Sequence, residues 1–366
     1  MLGNHAVAEG AIAARCNVFA AYPITPASEI AERMAERMPE VDPPGRFIQM
    51  EDEIGSIYAL TGVSLAGGKA MTATSSAGFN YMLEGLGYAV TVETPCVIVD
   101  VPRARQDILP SHSDVMQVKY GPSGDTEMIV LAPGNVQEAF DLTIEAFNHA
   151  EQYRNPTIVH LDANIAHMRG KIMIPEPDDI KLVDRKTPTV PPEEYLPFKP
   201  DADGVPPMSK FGEKYHVLFT FNPHDEAGRI TMDDYENLMH RLSWKITKDR
   251  DKLAKTEIKY LDDADLAVVS YGSVGGPSEV AVEQAREEGR KIAHVRLLTL
   301  WPTSDAVLRR VAESVNTILV PEMNWGKYVL EIQRICCPDA EVISVPKNDG
   351  TLHTTDEILS AIRRRS

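Results

Sequence analysis

The chain has 366 residues, 43% apolar and 25% charged, which is globular composition with material for two or three domains. Thirty-seven basic against 54 acidic residues leave a net charge of −17, and such an acidic excess repels phosphate backbones and anionic lipid. It argues against a nucleic-acid binder but leaves room for a basic pocket around a small anionic substrate. Four cysteines (Cys16, Cys96, Cys336, Cys337) form no disulfide framework and fit a reduced, cytoplasmic setting. No apolar run approaches the ~18–20 residues of a membrane span. The start, MLGNHAVAEG, lacks the basic and long apolar regions of a signal peptide.

Along the first 170 residues, strand-like apolar runs fall at Asn17–Ile24, Arg46–Glu51, Lys69–Ser75, Thr94–Val101, Met128–Ala132 and Thr157–Asp162. Helical spacing of apolar residues lies between them, as in Ala27–Met38 and Val136–Ala150. Continuous rather than alternating hydrophobicity suits strands covered on both faces, hence a doubly wound α/β domain with a parallel sheet. From about Ile174 to Lys210 the chain is proline-rich and acidic (IPEPDD, TPTVPPEEYLPFKPDADGVPP) and reads as a linker or surface-hugging arm. A polar helix is expected over Met232–Lys255. A second α/β unit then has strands at Leu266–Ser270, Ile292–Leu298, Thr317–Val320 and Glu341–Val345, with a helix at Pro277–Glu288. The division is 1–175, an arm and connecting helix over 176–260, and 261–366.

Several motifs fail. The turn YGSVGGPSEVAVEQA after Ser270 lacks the G-x-G-x-x-G spacing and reads as a structural strand-to-helix turn. No P-loop, H-E-x-x-H or G-x-S-x-G motif occurs. The adjacent Cys336–Cys337 pair cannot supply spaced thiolates and is read as buried at a helix end.

Ligands of such sheets bind beyond the carboxyl ends of the strands, and three clusters stand there. After the first strand, Tyr22-Pro23-Ile24-Thr25-Pro26-Ala27-Ser28 offers Thr25 or Ser28 as a helix cap, or Thr25 as a donor to an anion. After the second, Glu51-Asp52-Glu53 open an apolar helix. They are either partners of its dipole or include one buried carboxyl able to handle a proton. After the fourth, Arg103 and Arg105 precede a loop carrying Ser111-His112-Ser113-Asp114, and read either as a carboxylate or phosphate clamp or as surface ion pairs.

Together these segments resemble the α-type subunits of 2-oxoacid:ferredoxin oxidoreductases. The resemblance is carried by GNHAVAEGAIAARC, AAYPITPASEIAERMAERMP, MEDEIGSIYALTGVSLAGGKAMTATSSAGFNYM, GYAVTVETPCVIVDVPR and SHSDVMQVKYGPSGD. It continues in SYGSVGGPSEVAVEQAREEG and in LLTLWPTSD with LVPEMNWGK. It implies a thiamine-diphosphate enzyme, with a pyrimidine-binding domain first and a domain like the C-terminal one of transketolase second. Glu53 is then the glutamate that hydrogen-bonds N1′ of the aminopyrimidine, so that the 4′-imine can remove the proton from thiazolium C2. Thr25 and Arg103 match positions that hold the substrate's carboxylate and carbonyl, while Ser75 and Ser76 pass close to the cofactor. Arg105 departs from the family pattern and is assigned a second, side-chain carboxylate.

The reaction implied is oxidative decarboxylation of a 2-oxoacid with coenzyme A and ferredoxin, or its reversal. 2-Oxoglutarate is placed first, ahead of 2-oxoisovalerate or pyruvate. The chain lacks a G-D-G motif with a following Asn, since SGD at Ser123–Asp125 and NDG at Asn348–Gly350 do not fit, and it lacks cluster-binding cysteines. Mg²⁺, the diphosphate and a [4Fe-4S] cluster are therefore expected on a β subunit, with no metal site on this chain. A separate γ subunit and a dimer of heteromers are also expected. An inactive scaffold subunit and a subunit of the dehydrogenase type that does not use ferredoxin are the alternatives.

Overall fold

The structure is a computed structural model and describes residues 1–104 and 108–365. The first sheet takes strands β1 (Val18–Ala21), β2 (Arg46–Gln49), β3 (Ala70–Thr74), β4 (Val97–Asp100), β5 (Ile129–Leu131) and β6 (Thr157–His160). The second takes β7 (Thr256–Lys259), β8 (Leu266–Tyr271), β9 (Ile292–Leu297), β11 (Thr317–Glu322) and β12 (Glu341–Pro346), while β10 (Thr299–Trp301) crosses back to the first. The orders are β10-β5-β6-β4-β3-β1-β2 and β12-β11-β8-β9-β7.

Burial explains the runs of hydrophobicity. On β4, Val97 and Val99 face the core beneath helix α1 (Gly3–Ala13), helix α2 (Ser28–Arg37) and the helix Val136–Tyr153. Ile98 between them faces the core under helices α3 (Glu53–Leu65) and α4 (Ser76–Thr91). With a side-chain period of two, a strand covered on both faces must be apolar at every position. The sheet is doubly wound, as its sequence predicts.

Each sheet departs from purely parallel order at one edge. β10 runs antiparallel to β5, and β7 antiparallel to β9. β7 lies just before position 261, and β10 carries Trp301 into the first sheet. There Trp301 meets Tyr120 and Tyr328 edge-on, so one hydrophobic core runs through both units. Among the described residues no helix is long and apolar enough to cross a membrane.

The helix that follows the arm is held by buried charge. Residues 168–234 contain two short 3-10 turns and, among the described residues, no α-helix. The helix Tyr235–Thr247 then lays Arg241 and Lys245 on Glu93, just beyond α4. Glu93 is fully buried. It accepts from Arg241 Nη1 and Nη2 at 2.7 and 2.8 Å and from Lys245 Nζ at 3.0 Å. Burial alone would raise its pKa, but the Lys245 and Arg241 charges hold the carboxyl far below the usual range. Glu93→Gln leaves these cations, with Arg154, buried and uncompensated. It is expected to cost about 3–5 kcal/mol in urea unfolding, and a loss below about 1 kcal/mol, as for a surface pair, would contradict this role.

Candidate active site

Strands β2, β1, β3 and β4 are neighbours in the sheet, and each of the sequence clusters follows one of them. The connection from β1 leads to β2 while that from β3 leads to β4, so the order reverses between β1 and β3. A crevice at such a switch point is the usual ligand site of this architecture.

Glu51-Asp52-Glu53 divide their work. Asp52 takes the N-cap of α3, its Oδ1 accepting from the Gly55 amide at 2.6 Å. Glu51 and Asp52 are exposed, whereas Glu53 is 5% exposed. Burial raises the Glu53 pKa against a hydrogen bond from its own backbone, and Asp52 raises it further. Among the described residues no side chain donates to its carboxyl. The carboxyl faces Gly78 on α4, where a Cβ would stand 2.2 Å from Glu53 Oε1 and from Thr74 Oγ1. Gly78 is there because nothing larger fits beside Glu53.

Arg103 and Thr25 are brought together, with Arg103 Nη1 donating to the Thr25 carbonyl at 2.8 Å. Thr25 itself is exposed and Arg103 half-buried. Neither Thr25 nor Ser28 caps α2. The cap position is Ala27, whose φ of −96° and ψ of 1° are not the extended cap geometry, and no side chain bonds there. Ser75 is fully buried at the cap of α4, and its hydroxyl finds no partner among the described residues. Ser76 instead bonds to the Arg103 backbone and to Asp114. Arg105 lies outside the described residues.

A buried polar layer beneath these residues carries no role in the sequence reading. Asp100 Oδ2 and His160 Nδ1, at the ends of β4 and β6, are 3.2 Å apart. Burial pushes the Asp100 carboxyl up to about 8 and lowers the His160 imidazole, so burial disfavours the charged form of each. Asp162 behaves oppositely. Burial would raise it, but bonds from His112 and the Ser273 amide hold it below the usual carboxylate range. Gly272, at φ +56°, admits that contact, since a Cβ there would lie 2.8 Å from Asp162 Oδ2. The YGSVGG turn is thus a structural joint between the two units. Of the cysteine pair, Cys336 is buried at the end of the helix Val329–Cys336, but Cys337 is exposed. The expectation of burial fails for Cys337 because the chain leaves the helix there in extended geometry.

The chemistry available is proton exchange at a buried carboxyl, with an arginine able to hold an anion at another strand end of the same sheet. A buried carboxyl with no side-chain donor among the described residues, facing a glycine gap, fits the ring-nitrogen edge of an aminopyrimidine. Among the described residues no three His, Cys, Asp or Glu side chains cluster closely enough to hold a metal ion.

Comparisons with known proteins give the family and the fold. The family described as pyruvate flavodoxin/ferredoxin oxidoreductase, thiamine diphosphate-binding, matches residues 9–243, and the pyruvate:ferredoxin oxidoreductase core domain II matches 264–358. The chain is 46% identical to the 2-oxoglutarate synthase subunit KorA of Methanothermobacter marburgensis, covering 98% of this chain and 97% of that one. It is 43% identical to the subunit of the same name from Methanocaldococcus jannaschii, covering 99% and 98%. It superposes with a TM-score of 0.92 and 29% identity on the 2-oxoglutarate:ferredoxin oxidoreductase of Magnetococcus marinus, solved with 2-oxoglutarate, coenzyme A and succinyl-CoA. That match covers all of this chain but 64% of the other. A split-gene transketolase, at TM-score 0.58 and 13% identity, shares the fold. With a thiamine-diphosphate-binding domain followed by core domain II, and relatives named as subunits, the chain belongs to the pyruvate flavodoxin/ferredoxin oxidoreductase family.

Proposed function

We propose that this chain carries the aminopyrimidine half of a thiamine-diphosphate site in a 2-oxoglutarate:ferredoxin oxidoreductase. The observation that carries it is the singling out of Glu53. Of three consecutive carboxylates, it alone is buried, without a side-chain donor, against a glycine gap. Bound thiamine diphosphate supplies a carbon nucleophile and an electron sink for decarboxylation. Glu53, raised by burial, holds and returns a proton at N1′ of the aminopyrimidine. Arg103 commits one nitrogen to Thr25 and offers the rest of its fork to the substrate's α-carboxylate. Thr25, exposed and tied to Arg103 through its backbone carbonyl, would offer its hydroxyl to the substrate's carbonyl.

A partner completes the site in this reading. The elements around Glu53 expose Tyr22, Ile48, Ile54, Tyr58 and Tyr81, apolar surface that suits a covering subunit. That β subunit would bring the diphosphate, Mg²⁺ and an iron–sulfur cluster. A γ subunit would handle coenzyme A, ferredoxin would take the electrons, and the complex would be a dimer of heteromers. The four free cysteines favour a cytoplasmic setting.

The test is viologen or ferredoxin reduction by the co-expressed complex with coenzyme A and a panel of 2-oxoacids. The highest kcat/KM is expected for 2-oxoglutarate, ahead of 2-oxoisovalerate and pyruvate. Either of these as best substrate would overturn the substrate assignment, and a colourless complex without cluster absorbance would overturn the ferredoxin branch.

A further inference from the structure

Both polar groups of the Arg103 peptide are held by serines, and both serines are held by one carboxyl. The Arg103 amide donates to Ser76 Oγ at 3.0 Å. The Arg103 carbonyl lies 3.0 Å from Ser76 Oγ and 3.3 Å from Ser113 Oγ. Ser76 Oγ is 2.5 Å from Asp114 Oδ2, and Ser113 Oγ is 2.9 Å from Asp114 Oδ1. Asp114 is 4% exposed. Such fully connected buried networks fix geometry more strongly than their separate bonds.

The hydrogens can be counted. Two hydroxyl hydrogens face three acceptors, namely the Arg103 carbonyl and the two Asp114 oxygens. With an ionised carboxylate, one acceptor goes without. A proton on Asp114 completes the set, because Asp114 then donates to Ser76, Ser76 to the Arg103 carbonyl, and Ser113 to Asp114. Burial moves Asp114 toward that form. Burial, with the Asp100 carboxyl on β4 beside it, raises Asp114 to about 6, against the serine bonds and His160 on β6. His112 on the same loop is occupied with Asp162, and Lys327 of the second unit binds the Ser113 carbonyl.

The same loop is anchored from the second unit. The His112 amide donates to the Met323 carbonyl at 3.0 Å, and Asn324 Nδ2 donates to the His112 carbonyl at 3.1 Å. Asp114 therefore stands on a support fixed independently of the strand end that carries Arg103.

We propose that Asp114 is a positioning residue that sets the Arg103 guanidinium for the substrate's α-carboxylate, through Ser76 and Ser113. This rests on the reading of Arg103 given above. The experiment compares Asp114→Asn, Asp114→Ala, Arg103→Ala and the Asp114→Ala/Arg103→Ala pair in the assembled complex, measuring KM and kcat for 2-oxoglutarate. An amide reproduces the neutral carboxyl, with Nδ2 donating to Ser76 and Oδ1 accepting from Ser113. Asp114→Asn should therefore keep KM within about twofold, while Asp114→Ala raises it about tenfold, or about 1.4 kcal/mol, with kcat little changed. In the Arg103→Ala background, Asp114→Ala should add nothing. Equal defects in Asn and Ala variants, additive losses in the pair, or a normal KM in Asp114→Ala beside a raised one in Arg103→Ala would each overturn this inference alone. A normal KM in Arg103→Ala would overturn the reading of Arg103, and this inference with it.

Discussion

Glu53→Gln in the assembled complex is expected to lower kcat by about 10²–10⁴-fold, the usual contribution of a positioned proton-handling group. The protein should not lose stability. A buried carboxyl whose pKa is raised in the folded state binds its proton more tightly there. Its contribution to stability is full below the unfolded pKa and is lost as pH rises through the folded one. Above that folded pKa the ionised Glu53 is a cost, and the neutral amide should leave the unfolding midpoint there unchanged or higher. Glu51→Gln should remain active, since that side chain is exposed. Asp52→Asn should too, since asparagine is as good a cap as aspartate. If Glu51→Gln were the inactive variant, the assignment of the buried carboxyl would be wrong.

Gly78→Ala should be almost as damaging by a different route. Within a helix alanine is favoured over glycine by about 1 kcal/mol, so α4 itself gains from the change. The new methyl, however, would stand 2.2 Å from Glu53 Oε1 and 2.6 Å from its Cδ, so the carboxyl must move. The expected result is a folded, assembled complex with kcat reduced by about 100-fold, the cost of a misplacement of about 1 Å. Gly62→Ala on α3 is the control, since a Cβ there meets nothing within 4 Å, and it should be neutral or slightly stabilising. Equal activity of the two alanine variants would show that Glu53 does not need its place beside Gly78.

The six strands of the first unit were legible because their two-sided burial leaves uninterrupted apolar runs. Their ends were not, since apolar residues continue past the last ladder bond. Thr94–Val101 reads as a strand, yet only Val97–Asp100 pairs. β7 and β10 escaped because short antiparallel edge strands give no period to detect, and β10 sits within LLTLWP. Helix α1 escaped for the opposite reason. Most of its faces are buried, so it has no polar stripe.

The site divides in the same way. Thr25, Glu53 and Arg103 stood out as polar residues at strand ends, whereas spacing could not separate Glu53 from its two neighbours without the resemblance. The cap of α3 removes Asp52 and exposure removes Glu51. Asp100 and His160 each close an apolar strand with a single polar residue, a weak signal. Their pairing depends on β4 lying beside β6, which is known only from the sheet order. Asp114 was visible within SHSD, but its bonds to Ser76 span 38 positions and leave no local trace.

The central claim, that Glu53 drives proton removal at thiazolium C2, is tested most directly by hydrogen–deuterium exchange at that carbon. The assembled complex with thiamine diphosphate and Mg²⁺ is mixed with D₂O, quenched with acid, and the released cofactor read by proton NMR. The wild-type and Glu51→Gln complexes are expected to exchange C2–H fast enough to support turnover. Glu53→Gln is expected to be slowed by about 10²–10⁴-fold, to match its loss in kcat. Exchange at the wild-type rate in Glu53→Gln would contradict the account.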